Sequence, residues 1–537
     1  MAILGVIGFL LLAAGLIVVT HLVKPNVGRS WFIALGSSAG AWLVIFFLRL
    51  YLPTVVPLIA WKPESLFFAS PELVLDYVNW PYALAIITLC MGVIFTDSSR
   101  TSLGRSPLVW ASSLAITAVN LVAVLAGDPL TMAMAWALVD ALELGSLLMM
   151  RGRSAPPQRM ATYFGLRILS TFTLIGATAI GWQIKPQFLM SEIPATAGIF
   201  FLAAAGLRLG VLPPTPISTD GEQGSSGSSL LLRLLPVASA LALIGWLPTD
   251  FLILQQGWLS LFRVLTVIAA LYAAGMWLTR KTLAEARPYW LMALSAFAIQ
   301  CALNNQAGAS RVWGLALLLS GGLLFLFDPP IRRIRFLMAF GLIGLIALPY
   351  TPAASGWAGL LGGNLSFSSV LMIISHAMLT LGYLRYIAEG NSTITGLEKH
   401  ARITYPAGLI LIGQTIVIIG ILGWPGVFTV GAWWGGAASL ALSAVSVLVF
   451  KRFGLRLPLN FSLDRLPAER LLRTGMGFLA KALSLQWLYQ LGSWIYHAIQ
   501  AVGAYASQIL EGPGGLLWSL VLLAVAMIIF LSQVSLP

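Results

Sequence analysis

Three ionisable side chains inside apolar segments are the first candidates for chemistry. Asp140 and Glu143 lie three residues apart in MAMAWALVDALELGSLLMM, so a helix places both carboxylates on one face. Arg208 lies in the apolar stretch AAAGLRLGVLPPTP. A charge at that depth costs several kcal/mol unless it faces a partner or water. Two carboxylates beside an arginine would keep at least one carboxylate ionised and offer a proton-accepting site.

Two interpretations of these residues stay open. Pro213 and Pro214 free backbone carbonyls, and a broken membrane helix with a buried cation is typical of ion pathways. A structural arginine beside a proline kink, in a static salt-bridge cluster that fixes helix register, accounts for the same residues. His376 is a fourth ion-translocation candidate because histidine titrates near neutral pH, although a lone histidine in a helix is more often structural.

The composition excludes most other classes of site. The chain of 537 residues is 59% hydrophobic and only 9% charged, with a mean hydropathy of +0.91. Two cysteines in apolar runs and four histidines, without metal-ligand spacing, predict neither a disulfide framework nor a metal site. No nucleotide-binding motif or nucleophile–base pair is present, so we expect no cofactor and no covalent catalysis.

Apolar runs recur along the whole chain and predict an all-α polytopic membrane protein with about sixteen transmembrane helices. Some of these helices are broken within the bundle. The predicted spans are 2–23, 32–51, 80–97, 107–126, 129–150, 162–182, 195–217, 230–253, 257–279, 287–305, 311–328, 333–350, 367–388, 404–425, 430–450 and 513–534.

Basic residues concentrate in every second loop, for example Lys24 with Arg29, and Lys451 with Arg452. Under the positive-inside rule, this alternation puts those loops on the cytoplasmic side and both termini on the outer side of a cell membrane. The net charge of +13 then reflects topology and anionic lipid, so we expect no nucleic-acid partner.

The predicted organisation has five parts. Residues 1–217 form a first helical half with the charged site, 218–229 a Gly/Ser-rich loop, 230–450 a second helical half, 464–510 a lateral amphipathic helix, and 513–537 a C-terminal transmembrane helix. A soluble cap helix packed on the bundle is the alternative for 464–510. A continuous helix of that length reaches about 60 Å, which suggests contact with a neighbouring subunit.

Six stretches, in this order, resemble the antiporter-like membrane subunits of respiratory complex I. The closest resemblance is to the largest such subunit, the NADH dehydrogenase subunit 5 type, with relatives in multisubunit cation/proton antiporters, membrane-bound hydrogenases and bicarbonate-accumulating complexes. The stretches are LDYVNWPYALAI (75–86), GDPLTMAMAWALVDALEL (127–144), LRILSTFTLIGA (166–177), GLRLGVLPPTP (206–216), LIALPYTPAASG (345–356) and LEGPGGLLWSLVLL (510–523).

The departures from the family bear on mechanism. The family pairs a glutamate in the fifth span with a lysine in the seventh, and further lysines continue a proton path. The resemblance puts Ala137 at the glutamate position, with Asp140 one turn on, and Arg208 at the lysine position. It puts Gly321 at the eleventh-span lysine, and the twelfth-span lysine position falls near Ala358. Because arginine does not release its proton in proteins, the relay is expected to be interrupted.

The resemblance implies a membrane-arm subunit of a complex I-like NADH:quinone oxidoreductase or related energy-coupling complex, with other membrane subunits and the bilayer as partners. Such a subunit carries no redox centre of its own. The missing lysines favour reduced or absent pumping and a structural role. The alternative is a proton or cation transporter module coupled to a soluble partner, of the cation antiporter or bicarbonate-uptake type.

Overall fold

The computed structural model describes most of the chain. The described residues are 1–24, 26–58, 71–97, 107–151, 157–215, 227–254, 256–327, 332–346, 351–361, 366–388, 401–422, 432–452, 515–534 and isolated helical positions between 490 and 501. The chain divides into two compact units, residues 1–469 and 470–537. The predicted lateral helix 464–510 falls almost wholly outside the described residues, and the division at the Gly/Ser-rich loop remains a prediction.

The described chain is built almost entirely of helices. The helices of the first unit are α1 Ala2–Val23, α2 Val27–Leu48, α3 Trp80–Thr96, α4 Pro107–Leu125, α5 Pro129–Arg151, α6 Pro157–Trp182, α7 Ala195–Arg208, α8 Gly227–Gly245, α9 Phe251–Leu254, α10 Gln256–Thr279, α11 Leu283–Leu303, α12 Ser310–Leu315, α13 Gly321–Leu326, α14 Met338–Ile343, α15 Pro352–Leu361, α16 Phe367–Ala388, α17 Ala401–Leu422 and α18 Trp433–Arg452. The second unit contributes α19, Gly515–Val534.

Eight helical segments of the described part are long and apolar enough to cross a membrane. They are α1, α2, α4, α6, α10, α12–α13, α16 and α17, and six shorter apolar helices accompany them. This confirms the predicted all-α polytopic membrane protein. Helix α11 is buried along nearly its whole length, whereas α1 exposes Leu12 and Leu22 on its outer face. A helix that is apolar all round belongs in the centre of a bundle, with other helices around it.

Loop 52–79, for which no regular structure was predicted, contains a small antiparallel hairpin. Strands β1 (Thr54–Pro57) and β2 (Glu72–Leu75) pair in the register Thr54↔Leu75 to Pro57↔Glu72. The next residue, Asp76, accepts hydrogen bonds from the Asn79 amide at 2.9 Å and from Trp246 Nε1 at 3.0 Å. The stretch 75–86 therefore fastens the entry of α3 to the loop that follows α8.

Helix α7 is broken within the predicted span 195–217, where Pro213 and Pro214 led us to expect a break or a kink. The helix ends at Arg208, and Gly210 follows with a φ of 67°, a conformation that favours glycine. The amides of Val211 and Leu212 donate back to the Gly206 carbonyl at 2.9 and 3.1 Å. A Cβ on Gly206 would meet Leu212 Cδ1 at 2.6 Å, so the turn depends on glycine at both positions. Arg208 consequently lies at a helix end, where its guanidinium can reach α5.

The predicted span 311–328 is interrupted in a different way. A π-helical segment, Ala316–Ser320, separates α12 from α13. Such segments leave a backbone carbonyl without its regular helical partner, and they are frequent at functional positions. Spans 230–253 and 333–350 are also divided, into α8 and α9, and into a 3₁₀ turn (Arg332–Leu337) followed by α14. The expectation of broken helices is confirmed.

Candidate ion-translocation site

Helix α5 presents its two acidic residues to the interior of the bundle. Asp140 and Glu143 are 7% and 3% exposed, whereas Met134 and Leu138 on another face of α5 are about half exposed. The three-residue spacing therefore places both carboxylates on one side of the helix, as the sequence predicts. A buried carboxylate needs charged or hydrogen-bonding partners in an apolar bundle, and here α6 and α7 supply them.

Asp140 lies between two arginines. Arg208, at the end of α7, binds it with both terminal nitrogens: Nη2 donates to Oδ1 at 2.9 Å and Nη1 to Oδ2 at 3.2 Å. Arg167 on α6 places its Nε 2.8 Å from Oδ1, in an ion pair whose N–H does not point at the oxygen. The two guanidinium groups are 3% and 2% exposed. Asp140 therefore joins α5, α6 and α7 through one carboxylate.

Glu143 pairs with the same Arg167 and with a tyrosine. Arg167 Nη1 forms a short ion pair with Glu143 Oε2, and the Tyr163 hydroxyl donates to Oε1 at 2.7 Å. Two carboxylates and two guanidiniums therefore balance each other within the charged cluster, which we define as Asp140, Glu143, Tyr163, Arg167 and Arg208. Charge balance and multiple hydrogen bonds offset the cost of taking these groups out of water.

A tryptophan connects the charged cluster to α8. The Arg208 guanidinium lies over the Trp136 ring at 4.3 Å from its centroid, in a cation–π contact. The indole Nε1 of Trp136 donates to Ser239 Oγ of α8 at 2.8 Å. Trp136 therefore connects the Arg208 side chain to α8, across the predicted boundary between the two halves. A displacement of Arg208 would disturb this connection.

His376 lies in a separate environment. Its Nε2 is 3.2 Å from the Leu345 carbonyl and its Nδ1 is 2.7 Å from Ser439 Oγ of α18. Since a carbonyl only accepts, Nε2 carries the proton and Nδ1 accepts from the serine when the ring is neutral. The rings of Trp313 and Trp357 lie 5.6 and 5.0 Å from the imidazole. All the hydrogen-bonding groups of this histidine are therefore satisfied, and none belongs to the charged cluster.

The structure brings together Asp140, Glu143 and Arg208, as the sequence predicts, and leaves His376 outside the cluster. Sequence reasoning left out Arg167 and Tyr163 as site candidates, although Arg167 lies within a predicted span. The missed signal was the spacing of Tyr163 and Arg167. Since they lie four residues apart, both fall on one face of α6, and this face can meet the face of α5 that carries Asp140 and Glu143.

Every charged side chain of the charged cluster is paired with an opposite charge. Both cations are arginines, which stay protonated, and the sequence has no lysine between residues 63 and 184 or between 186 and 280. Within the cluster, the groups that can exchange a proton are the two carboxylates and the Tyr163 hydroxyl, and each carboxylate is already paired with a guanidinium. The geometry favours an electrostatic lock between three helices.

Comparison with solved structures identifies the fold. A chain of the Mrp complex from Dietzia sp. DQ12-45-1b matches with a TM-score of 0.70 and 15% identity over 99% of this sequence. A chain of the membrane-bound sulfane sulfur reductase, an archaeal respiratory membrane complex, matches with a TM-score of 0.65 and 14% identity over 97%. The protein shares their fold.

A chain of respiratory complex I from Thermus thermophilus also matches, with a TM-score of 0.58 and 16% identity over 79% of this protein. This protein spans 63% of the Mrp chain, 99% of the reductase chain and 100% of the complex I chain. By sequence, no family model and no curated protein matches. The predicted resemblance to antiporter-like membrane subunits is therefore confirmed in the fold, which belongs to subunits of multi-subunit membrane complexes.

Proposed function

We propose that this protein is an antiporter-like membrane subunit of a complex I-like energy-coupling assembly, in which its own proton translocation is weakened or absent. Its principal work in this proposal is structural. It fills one place in a membrane arm and braces its neighbours, with the amphipathic segment 464–510 reaching along the arm. The shared fold supports the place in such an assembly, and the charged cluster supports the loss of translocation.

The observation that carries the proposal is the double clamp on Asp140. A lysine in a dry site can lose its proton and so take part in a relay, whereas the guanidinium of Arg208 keeps its proton. Arg167 holds the same carboxylate from the other side. Opening the clamp would leave uncompensated charge in the bundle, and this is costly. The cluster is thus suited to holding helices α5, α6 and α7 together and to responding to the electric field of charges in a neighbouring subunit.

The alternative is a proton or cation transporter module that works with a soluble partner, of the cation antiporter or bicarbonate-uptake type. The match to a chain of the Mrp complex favours this class. In it, Asp140, Glu143 and Arg208 act as a charge switch rather than as a lock.

The deciding experiment starts with gentle detergent extraction of the native membrane and mass spectrometry of the proteins that migrate with this chain. Hydrogenase-like and quinone-binding companions are expected. Migration alone contradicts the assembly, and a single zinc-dependent soluble companion favours the alternative.

Variants of Arg208 then separate scaffold from transporter within the intact assembly. Arg208→Ala is expected to weaken assembly without a specific pumping defect, while Arg29→Ala, at an exposed arginine, leaves assembly unchanged. Full assembly with lost pumping would instead favour transport. Arg208→Lys restores a group that can release a proton, and gained proton flux in this variant would identify arginine as the block.

The orientation is a further part of the proposal. Both termini are placed on the outer side of the cell membrane, because the basic loops fall on the other side. Protease accessibility of a terminal tag in intact spheroplasts tests it, with a tag in the loop at Lys281 as the protected control.

A further inference from the structure

Five aromatic side chains form a continuous cluster among four helices, away from the charged cluster. They come from α10, α11, α13 and α16, and we call them the ring cluster: Trp277, Trp290, Phe325, Tyr383 and Tyr386. Trp277 is the centre, with ring centroids 5.0 Å from Trp290 and 4.9 Å from Tyr386. Trp290 continues to Tyr383 at 5.8 Å, and Phe325 lies 6.3 Å from both tryptophans. All five are buried.

Glycines make the space that these rings fill. A Cβ on Gly321, the first residue of α13, would overlap the indole nitrogen of Trp290. A Cβ on Gly382 would overlap Trp277 in the same way, and one on Gly341 would overlap the hydroxyl of Tyr383. Close packing of this kind leaves no volume for water between a ring and the facing backbone.

The indole N–H groups of the two tryptophans donate hydrogen bonds to backbone carbonyls. Trp290 Nε1 donates to the Leu317 carbonyl at 3.2 Å, within the π-helical segment. Trp277 Nε1 donates to the Leu379 carbonyl of α16 at 3.1 Å. Carbonyls at breaks in membrane helices are the usual attachment points for internal water. Here the Trp290 indole occupies such a carbonyl, that of Leu317, whereas the Leu379 carbonyl that Trp277 binds lies within the continuous helix α16.

The tyrosines close the rest of the cluster in the same manner. Tyr386 donates to the Arg280 carbonyl at 2.9 Å, and Tyr383 donates to the Met338 carbonyl at 3.4 Å. Two arginines border the cluster: Arg287 Cζ lies 5.4 Å from the Phe325 ring centroid, and Arg385 Cζ lies 5.2 Å from the Tyr386 ring centroid. The contacts described for Trp277, Trp290 and Tyr383 in the middle of the cluster are with other rings and with backbone.

We propose that the ring cluster is a dry seal that closes the space between α10, α11, α13 and α16 to water and hydrated ions. Apolar constrictions exclude ions because a hydrated ion would have to shed its water there without replacement. Trp290 packs against Gly321, the first residue of α13. The seal goes beyond the proposed role as a subunit of an assembly. It is a property of the helix bundle of this protein, whether the protein is alone or in an assembly.

The test measures passive proton leak through the full-length protein in sealed vesicles, with trapped pyranine and a valinomycin-imposed potassium potential. Vesicles with wild-type protein are expected to be as tight as empty ones. The variant Trp277→Ala with Trp290→Ala removes both indoles and exposes two carbonyls, so water enters and the leak rises several-fold. A folded double variant as tight as wild type would overturn the proposal.

Three variants control for nonspecific damage. Trp258→Ala removes an exposed tryptophan from the same helix as Trp277 and should not change the leak. Trp290→Phe keeps a ring in place but frees the Leu317 carbonyl, so it should leak less than Trp290→Ala. The exchange Trp290→Ala with Gly321→Phe moves a ring to the facing position, and it should lower the leak relative to Trp290→Ala alone. An exchange variant that folds but leaks as much as Trp290→Ala would also contradict the seal, even if the double deletion fails to fold.

Discussion

The double clamp predicts strong energetic coupling between Asp140 and Arg208. The perturbation is a double-mutant cycle of Asp140→Asn, Arg208→Met and the combined variant. Arg208→Met keeps an unbranched side chain of moderate length and removes the charge, while Asp140→Asn keeps the shape of the carboxylate. Asp140→Asn leaves the charged cluster with one net positive charge, Arg208→Met leaves it with one net negative charge, and the combined variant restores the balance.

The structure sets the magnitude. Removing one partner of a buried ion pair costs about 3–5 kcal/mol. Arg208→Met falls near the lower end, about 3 kcal/mol, because Arg167 still lies 2.8 Å from Asp140 and neutralises it. Asp140→Asn falls near the upper end, about 5 kcal/mol, because Arg208 then has no anion in bonding distance. Since the combined variant is balanced again, we expect it to cost about 3 kcal/mol less than the sum.

The assay is unfolding of the purified protein in mixed micelles by titration with SDS, followed by circular dichroism and tryptophan fluorescence. Lys185 and Glu192 provide a matched control cycle, since they form an ion pair whose side chains are 48% and 50% exposed. Lys185→Met and Glu192→Gln should each change the unfolding free energy by less than about 1 kcal/mol, with little coupling.

The reasoning is refuted if Arg208→Met costs no more than Lys185→Met. It is also refuted if the combined variant costs the full sum of its single changes. Either result would mean that the guanidinium of Arg208 does not balance the charge of Asp140. The interpretation of the charged cluster as an electrostatic lock would then be wrong.

Three further changes test other parts of the structure in the same assay. Tyr163→Phe removes the hydroxyl that donates to Glu143 and should cost about 1–3 kcal/mol, because a buried carboxylate oxygen loses its donor. Asp76→Ala should cost about 1–2 kcal/mol, because the Asn79 amide and Trp246 Nε1 lose their acceptor. Burial, and to a smaller extent repulsion from Asp128, raises the pKa of Glu72 above its ordinary value of 4.5. The free energy of unfolding should therefore fall as the pH rises from 4.5 through the pKa of Glu72 in the folded protein. Glu72→Gln should flatten this dependence.

Most helix positions follow from the hydropathy of the sequence alone. Helices α1 and α16 begin and end at the predicted residues 2–23 and 367–388, since each is one long apolar run between polar ends. The breaks are harder to predict because they depend on backbone geometry. Gly210 and the prolines after Arg208 signal the end of α7, but the π-helical segment of residues 316–320 carries no comparable sequence signal.

The site was predictable in its residue types and not in its connections. An apolar helix that carries Asp140 and Glu143 must bury them against cations, so their burial beside Arg208 follows from physical chemistry. Which cation pairs with which carboxylate depends on the rotation and depth of α6, and the sequence does not determine these. For that reason Arg167, which binds both carboxylates, went unrecognised as the centre of the cluster.

The charged cluster and the ring cluster oppose ion movement by different physical means, and this affects how experiments on either must be designed. Arg208→Lys makes the first half titratable, yet it leaves the rings of Trp277 and Trp290 in the second half. Removing those rings admits water, yet it leaves Asp140 clamped by two guanidiniums. The leak expected of the ring deletion therefore reports on the second half, and proton flux in Arg208→Lys reports on the first. The lock resists movement through electrostatics and the seal through packing, so each needs its own variant and its own flux measurement.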